Sequence, residues 1–364
     1  VIPFVRPTLP APEEWLPHLQ PAYDGRWFSN FGPVASRLED ELTAKYATGN
    51  RRAALVSSCT AGLATALLAM RIRGRVAMPS FTFPATAQAV LLAGCEPVFC
   101  DVSPTTWELD PPKLDECVRR HAPAAIVHVR SFGFCHDVSP IEEVARRHRL
   151  PLIIDAAAAF GGALADRRWV GGQGEMEVFS LHATKVFGIG EGGVIFAPAD
   201  RISALRRACN FGIEDGDVRS RALNAKLSEI HAAIGMAVLA RIDAFIARRR
   251  TVAEAYVRAF APSELIAPPP AGGLPPMQTF PMLTRDEAIA DAVVANCHAE
   301  GVEIRRYYRP ALHRTRLFSS AVHEKLPVST TLAARTLCLP IYSDMTRDES
   351  NRVIAVVQTA LSRA

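Results

Sequence analysis

The sequence predicts an α/β protein: a mostly parallel central sheet flanked by helices, followed by a smaller α+β C-terminal domain. Three observations carry this expectation. Seven short apolar runs alternate with helical patterns between residues 53 and 196, a proline-rich stretch interrupts the chain at 267–276, and 364 residues suit one large core and a smaller one.

The elements follow in chain order. Residues 3–21 are rich in proline and read as an irregular N-terminal arm. Strands are expected at 53–56, 75–78, 97–100, 125–128, 152–155, 178–181 and 193–196, each a short apolar run of the kind a sheet buried on both faces needs. Helical patterns at 61–71, 83–92, 113–120 and 141–149 lie between them. From 226 to 260 the pattern stays helical, with Gly235 the sole glycine and no proline, which predicts one long helix leading out of the sheet domain. The connector Ala267-Pro268-Pro269-Pro270-Ala271-Gly272-Gly273-Leu274-Pro275-Pro276 can be neither helix nor central strand. Beyond it come an apolar run at 277–283, a helix at 285–300, a strand near 302–305 and a last helix at 347–362. The expected division is an arm at 1–35, a large domain at 36–245 and a small domain at 246–364.

Composition narrows the function classes. Net charge is +4 with acids and bases mixed along the chain, too weak a balance to argue for nucleic acid. Of the basic clusters at 71–75, 248–250 and 305–309, most read as solvated faces; the third is kept as a contact for an anionic substrate. Eight scattered cysteines form no CxxC pair and read as buried thiols of a reducing compartment. The N-terminal residues lack the pattern of a signal peptide, and the most apolar segment, 152–165, is too short to span a bilayer and contains Asp155. The expectation is a soluble, cytoplasmic protein without membrane or nucleic-acid partners.

Open α/β sheets bind ligands beyond the carboxyl ends of their strands, and four features fall there. Ser57-Ser58-Cys59-Thr60-Ala61-Gly62 opens a helix, where free N–H groups and hydroxyls suit a phosphate, although an ordinary helix cap needs the same residues. Asp155 ends an apolar strand; it either caps the next helix or faces a protonated ring nitrogen, as an electron-sink cofactor requires. Lys185 lies between the strand at 178–181 and the Gly188-Ile189-Gly190-Glu191-Gly192-Gly193 turn, among apolar residues that lower an ammonium pKa and make a nucleophile. Pro79-Ser80-Phe81-Thr82-Phe83-Pro84 supplies aromatics for a flat ring or for the core. No histidine spacing suits a metal, no GxSxG elbow is present, and no GxGxxG follows the first strand.

Taken in order, these stretches resemble the DegT/DnrJ/EryC1/StrS family of sugar aminotransferases, which use pyridoxal 5'-phosphate (PLP) on the aspartate aminotransferase fold type I. The matching pieces are Ile2-Pro3-Phe4, Phe31-Gly32-Pro33, Ser57-Ser58-Cys59-Thr60-Ala61, Pro79-Ser80-Phe81-Thr82-Phe83, Pro97-Val98-Phe99-Cys100-Asp101-Val102 and Asp155-Ala156-Ala157. Phe179-Ser180-Leu181-His182-Ala183-Thr184-Lys185, Gly190-Glu191-Gly192-Gly193, Ala247-Arg248-Arg249-Arg250, Tyr308-Arg309-Pro310 with His313, and Leu339-Pro340-Ile341-Tyr342 complete the series. The resemblance implies that Lys185 holds PLP as a Schiff base and moves protons, and that Asp155 pairs with the ring nitrogen. It implies that Cys59, Thr60 and Ser180 hold the phosphate, that Phe83 stacks on the ring, and that Asn224 reaches the phosphate of a neighbouring subunit in a homodimer. Tyr308, Arg309 and His313 become candidates for the substrate side. The implied reaction moves an amino group from glutamate or glutamine to a keto-deoxysugar linked to a nucleoside diphosphate.

The chain departs from the family pattern at several positions. Ala158 stands where glutamine usually contacts the ring hydroxyl, Cys59 replaces a glycine, and Lys226 an arginine. Val129-Arg130-Ser131-Phe132-Gly133 replaces a histidine-containing turn, and Ser329-Thr330 stands where serine-glutamate is common. Three other readings follow: an aminotransferase for a keto-cyclitol or other non-nucleotide ketone, a non-catalytic PLP-binding regulator, and a dehydratase, which Lys185 argues against because dehydratases of the family replace it with histidine.

Overall fold

Seven of the apolar runs form strands in the computed structural model, which describes residues 1–261, 263–267 and 272–363. They are β1 (Arg51–Val56), β2 (Gly74–Pro79), β3 (Cys95–Cys100), β4 (Ala125–Val129), β5 (Leu152–Asp155), β6 (Met176–Ser180) and β7 (Gly193–Pro198). Their order in the sheet is β1-β7-β6-β5-β4-β2-β3, with Val322–His323 added in parallel beyond β3. β7 runs antiparallel to both β1 and β6, and the remaining pairs are parallel. Successive strand residues feed opposite faces: Ile154 and Phe179 join one hydrophobic core, Ile153 and Val178 the other. Such two-sided burial explains why the strands read as unbroken apolar runs.

Sequence periodicity failed where packing overrode local signals. The arm expected to be irregular contains the helix Pro12–Asp24, with Pro17 and Pro21 inside it. Each interior proline removes one ladder hydrogen bond, but Pro12 starts the helix, Glu14 bonds the Ala11 N–H, and Trp15 and Leu19 pack against the core. The single long helix expected over 226–260 is two helices, Glu229–Leu239 and Ile242–Phe260, bent by 63°. No glycine or proline marks the break. The second helix instead changes direction to bury Ile242 and Ile246 in the large core and Tyr256 and Phe260 in a third one.

That third core surrounds an antiparallel sheet of Ile266–Ala267, Phe280–Thr284 and Thr336–Leu339, packed by the helices Glu287–Ala299 and Arg347–Ser362. The strand expected near 302–305 reduces to two bridges, Ile2 with Val302 and Arg305 with Cys338. Of the proline connector, Pro268–Ala271 lie outside the described residues. Its later residues are gripped by a cluster expected to be solvated: Arg250 donates to the carbonyls of Leu274 and Pro275. Arg249 is 3% exposed and donates to Ser343 and the Ile341 carbonyl, and burial lowers its pKa to about 10. A fourth, aromatic cluster joins Phe4, Phe81, Trp107, Phe132 and Phe134 to Tyr307 and Tyr308. Among the described residues no single helix is long and apolar enough to cross a membrane.

Candidate active site

The ends of β1, β2, β4, β5 and β6 reach one edge of the sheet, and a cavity of about 470 Å³ opens there. Its floor is set by strand register. Asp155 is the last residue of β5 and pairs with Val178 of β6. Its carboxylate, 4% exposed, accepts hydrogen bonds from the Thr86 hydroxyl at 2.7 Å and the Ala157 N–H at 3.1 Å. Burial pushes its pKa up, and these two bonds oppose the shift. Thr86 arrives from the first turn of the helix Pro84–Leu92 that follows β2. A group that brings positive charge to Asp155 would offset the cost of burying its carboxylate.

Lys185 lies on the loop between β6 and β7. Leu181 N–H donates to Gly192 O and Ala183 N–H to Gly190 O, so the loop folds back on itself through Gly190, whose φ of +100° suits only glycine. Gln278 clasps both sides of the lysine: it accepts from Val186 N–H at 3.0 Å and donates to the Thr184 carbonyl at 2.8 Å. Burial lowers the Lys185 pKa, Cys59 and Asp155 oppose that, and the charge of Arg249 adds to it.

The helix Cys59–Ala69 points its N-terminus into the same cavity. Ser58 caps it by accepting from Ala61 N–H at 3.1 Å, while the first N–H groups, of Cys59 and Thr60, have no preceding helical turn to accept them. Cys59 adopts ordinary helical angles, so its replacement of glycine strains nothing. Gly193 is required here, because a Cβ would stand 2.9 Å from the Cys59 nitrogen. Ser180 closes β6 beside this helix end. A phosphate, a protonated ring nitrogen and a carbonyl would thus meet the helix start, Asp155 and Lys185 respectively, and Phe83, 52% exposed on the cavity wall, offers a ring face. The residues fit PLP.

Of the residues picked out by sequence, Cys59, Thr60, Phe83, Asp155, Ser180, Lys185 and Tyr308 line the cavity. Tyr308 stacks on Phe132 with ring centroids 4.8 Å apart. Three candidates lie elsewhere. Arg309 is drawn outward by Glu287 at 2.7 Å and Asp291 at 2.9 Å. His313 is engaged by Ser80 at 2.6 Å and Thr330 at 3.3 Å. Asn224 is exposed and accepts from the Lys226 ammonium at 2.7 Å, outside the cavity of its own chain.

Sequence reasoning missed Thr86 and Gln278, named Arg130 only within a turn that departs from the family pattern, and kept Arg305 only as one of a basic cluster for an anionic substrate. Gln278 follows the proline connector, and nothing local ties it to Lys185, 93 positions earlier by their numbers. Arg130, in the turn that replaces the family's histidine-containing one, lines the cavity wall but turns its guanidinium inward. It donates to Glu177 at 2.6 Å, to Gln173 and to the His136 carbonyl, and both charges are fully buried. Its role there is to tie the turn after β4 to β6.

With this geometry in place, comparison with known proteins is informative. The model of the DegT/DnrJ/EryC1/StrS aminotransferase family matches residues 11–358. The chain is 30% identical over 362 residues to the dTDP-4-amino-4,6-dideoxy-D-glucose transaminase of Escherichia coli, covering 95% of each protein. It is 31% identical over 349 residues to the GDP-perosamine synthase of Caulobacter vibrioides, covering 93% of each. Its fold matches the crystal structure of DesI, determined in the presence of its TDP-sugar product, with a TM-score of 0.91 and 33% identity, covering 99% of this chain and 93% of that one.

Proposed function

Because the chain belongs to the DegT/DnrJ/EryC1/StrS aminotransferase family, whose members are PLP-dependent aminotransferases, we propose that it aminates a keto-deoxysugar carried on a nucleoside diphosphate, with glutamate or glutamine as donor. The observation that carries the chemistry is Lys185 and Asp155 in one cavity with an open helix N-terminus. The sugar is supported by relatives named for dTDP- and GDP-linked sugars.

PLP, when bound, draws electrons from the carbon bearing the amine, provided its ring nitrogen stays protonated. Each residue then has a distinct task. Asp155 holds the proton on that nitrogen, and Thr86 and the Ala157 N–H aim its carboxylate. The N–H groups of Cys59 and Thr60, with the hydroxyls of Thr60 and Ser180, hold the phosphate. Phe83 covers one ring face. Lys185 Nζ would take the proton from the donor's amine-bearing carbon and pass it to the cofactor, then run the transfer in reverse onto the acceptor's carbon, and the burial that lowers its pKa eases its use as a base. Asn224, remote from its own cavity, serves the phosphate of a partner subunit in a homodimer. The eight free, buried cysteines fit a cytoplasmic setting, and a division at residues 36 and 246 fits the helix Ile242–Phe260, which enters two cores.

The test is a single turnover. Glutamate or glutamine added to the PLP-loaded protein should abolish the visible absorbance of the lysine-bound cofactor, and a keto sugar on dTDP, UDP or GDP should restore it. Lys185→Ala should lose the cycle by about 10³-fold or more. No conversion by any amino donor would leave a PLP-binding regulator, and restoration by a free keto-cyclitol alone would replace the nucleotide sugar as acceptor.

A further inference from the structure

The basic cluster at 305–309 was singled out as a contact for an anionic substrate, and the structure separates its three arginines. Arg306 pairs with Asp291, and Arg309 with Asp291 and Glu287. Both charges are spent on the helix Glu287–Ala299. Arg305 alone of the three lines the cavity. Among the described residues no carboxylate lies within ion-pair distance of it. Its nearest acid by sequence, Glu303, accepts the Phe4 N–H at 3.0 Å.

The Arg305 guanidinium is nonetheless held in place. Its backbone exchanges two hydrogen bonds with Cys338, at 3.3 and 2.7 Å. The side chain lies over the Phe4 ring at 5.0 Å and donates to the Tyr307 hydroxyl at 2.9 Å. Phe4 is fixed in turn, because the neighbouring Ile2 donates to the Gly301 carbonyl and accepts from the Glu303 N–H, and Arg6 pairs with Asp344 and Glu349. An exposed, positioned cation facing a ligand cavity with no acid to neutralise it is a place for an anion.

Which anion follows from where the other charges stand. Arg305 is exposed at the rim of the cavity, whereas Asp155, which lines the same cavity as Lys185, is buried on its floor. A donor amino acid carries its α-carboxylate on the very carbon that reacts at Lys185, so its partner must stand close to that nitrogen. A sugar diphosphate is separated from the reacting carbon by the sugar ring. The other charge at the rim, Glu191, is a carboxylate 3.5 Å from His182 and offers an anion nothing. Arg130 is closed off by Glu177.

We infer that Arg305, braced by Phe4 and Tyr307, takes the diphosphate of the acceptor sugar, an inference that rests on the nucleotide-sugar reading above. The test uses PLP-loaded wild type, Arg305→Met and Arg305→Lys. The first measurement is binding of dTDP, UDP and GDP by calorimetry, and the second is the KM for the nucleotide keto sugar against the rate of the donor half-reaction. Arg305→Met should weaken nucleoside diphosphate binding and raise the sugar KM by about tenfold or more, the loss expected for one Arg–phosphate contact. The Lys variant should recover part of it, and the donor step should change far less. Equal binding by wild type and Arg305→Met, or a loss confined to the donor step, would overturn the assignment. A wild type that binds no nucleoside diphosphate, while glutamate still converts the cofactor, would overturn the nucleotide-sugar reading itself.

Discussion

At the floor of the cavity, Asp155 is 4% exposed and its oxygens are already engaged by Thr86 and Ala157; at the rim, Phe83 is 52% exposed and Arg305 lies open with an aromatic face beneath it. The floor holds a carboxylate and an amine whose pKa values are both pushed towards their neutral forms by burial. Keeping such groups dry is unfavourable until a ligand supplies the missing charge. The rim holds apolar and cationic surface that costs little in water. The floor is thus organised for one invariable group and destabilises the unliganded fold, whereas the rim decides which substrate is accepted.

Removing the carboxylate should break this contrast most severely. Asp155→Asn retains shape but cannot hold a proton on the ring nitrogen, and kcat should fall by about 10²–10³-fold, as when one preorganised electrostatic group is lost. Stability should move the other way. The folded pKa of Asp155 is raised, so its contribution to stability is full below the ordinary carboxylate range and is lost as pH rises through the folded value. Loss of its attraction for Lys185 acts against the gain, but desolvation is the larger effect on Asp155. PLP-free Asp155→Asn should therefore melt higher than PLP-free wild type at pH 8, and the difference should close towards pH 4. A lower melting temperature at pH 8 would mean that the carboxylate stabilises the empty site.

The next effect sharpens the comparison within the floor, because Gln278 holds the loop that carries Lys185. Gln278→Ala leaves the Val186 N–H and the Thr184 carbonyl without their partner. Losing these bonds should cost roughly 1–3 kcal/mol in denaturant unfolding. A loosened Lys185 should lower kcat by about tenfold, with the sugar KM changed much less. Gln278→Glu, which can still accept from Val186, should recover part of kcat. If kcat is unchanged while stability drops, Gln278 is a packing residue and the lysine positions itself.

The floor was largely legible in the sequence, and for a physical reason. Asp155 and Lys185 each end or follow an apolar strand, so the pattern that revealed the strand also placed the residue at the sheet edge. Thr86 and Gln278 escaped because their partners are distant in sequence and a threonine in a helix or a glutamine after prolines carries no signal of its own. The rim was legible only as a cluster: the charge pattern found three arginines, and the acids on the helix Glu287–Ala299 decided that Arg305 rather than Arg309 faces the cavity. The bent helices at 229–260 and the proline-containing helix Pro12–Asp24 show the same limit, since tertiary burial set their course against the local pattern.

The smallest effect concerns Ala158, which lines the cavity where the family usually places a glutamine. The turn after β4 crowds its backbone: a Cβ on Gly133, which has φ +87°, would stand 2.2 Å from the Ala158 carbonyl oxygen. The backbone at 158 is thereby fixed, while its methyl group leaves room on the cavity side. Ala158→Gln should add one hydrogen bond to the ring hydroxyl and tighten PLP binding by about fivefold, the gain from a single neutral hydrogen bond of about 1 kcal/mol. Equilibrium dialysis of PLP against both proteins measures this directly, with the sugar KM as control. Weaker binding would mean that the Phe132 turn has closed the space the glutamine fills in relatives, and that this chain holds its cofactor by the floor alone.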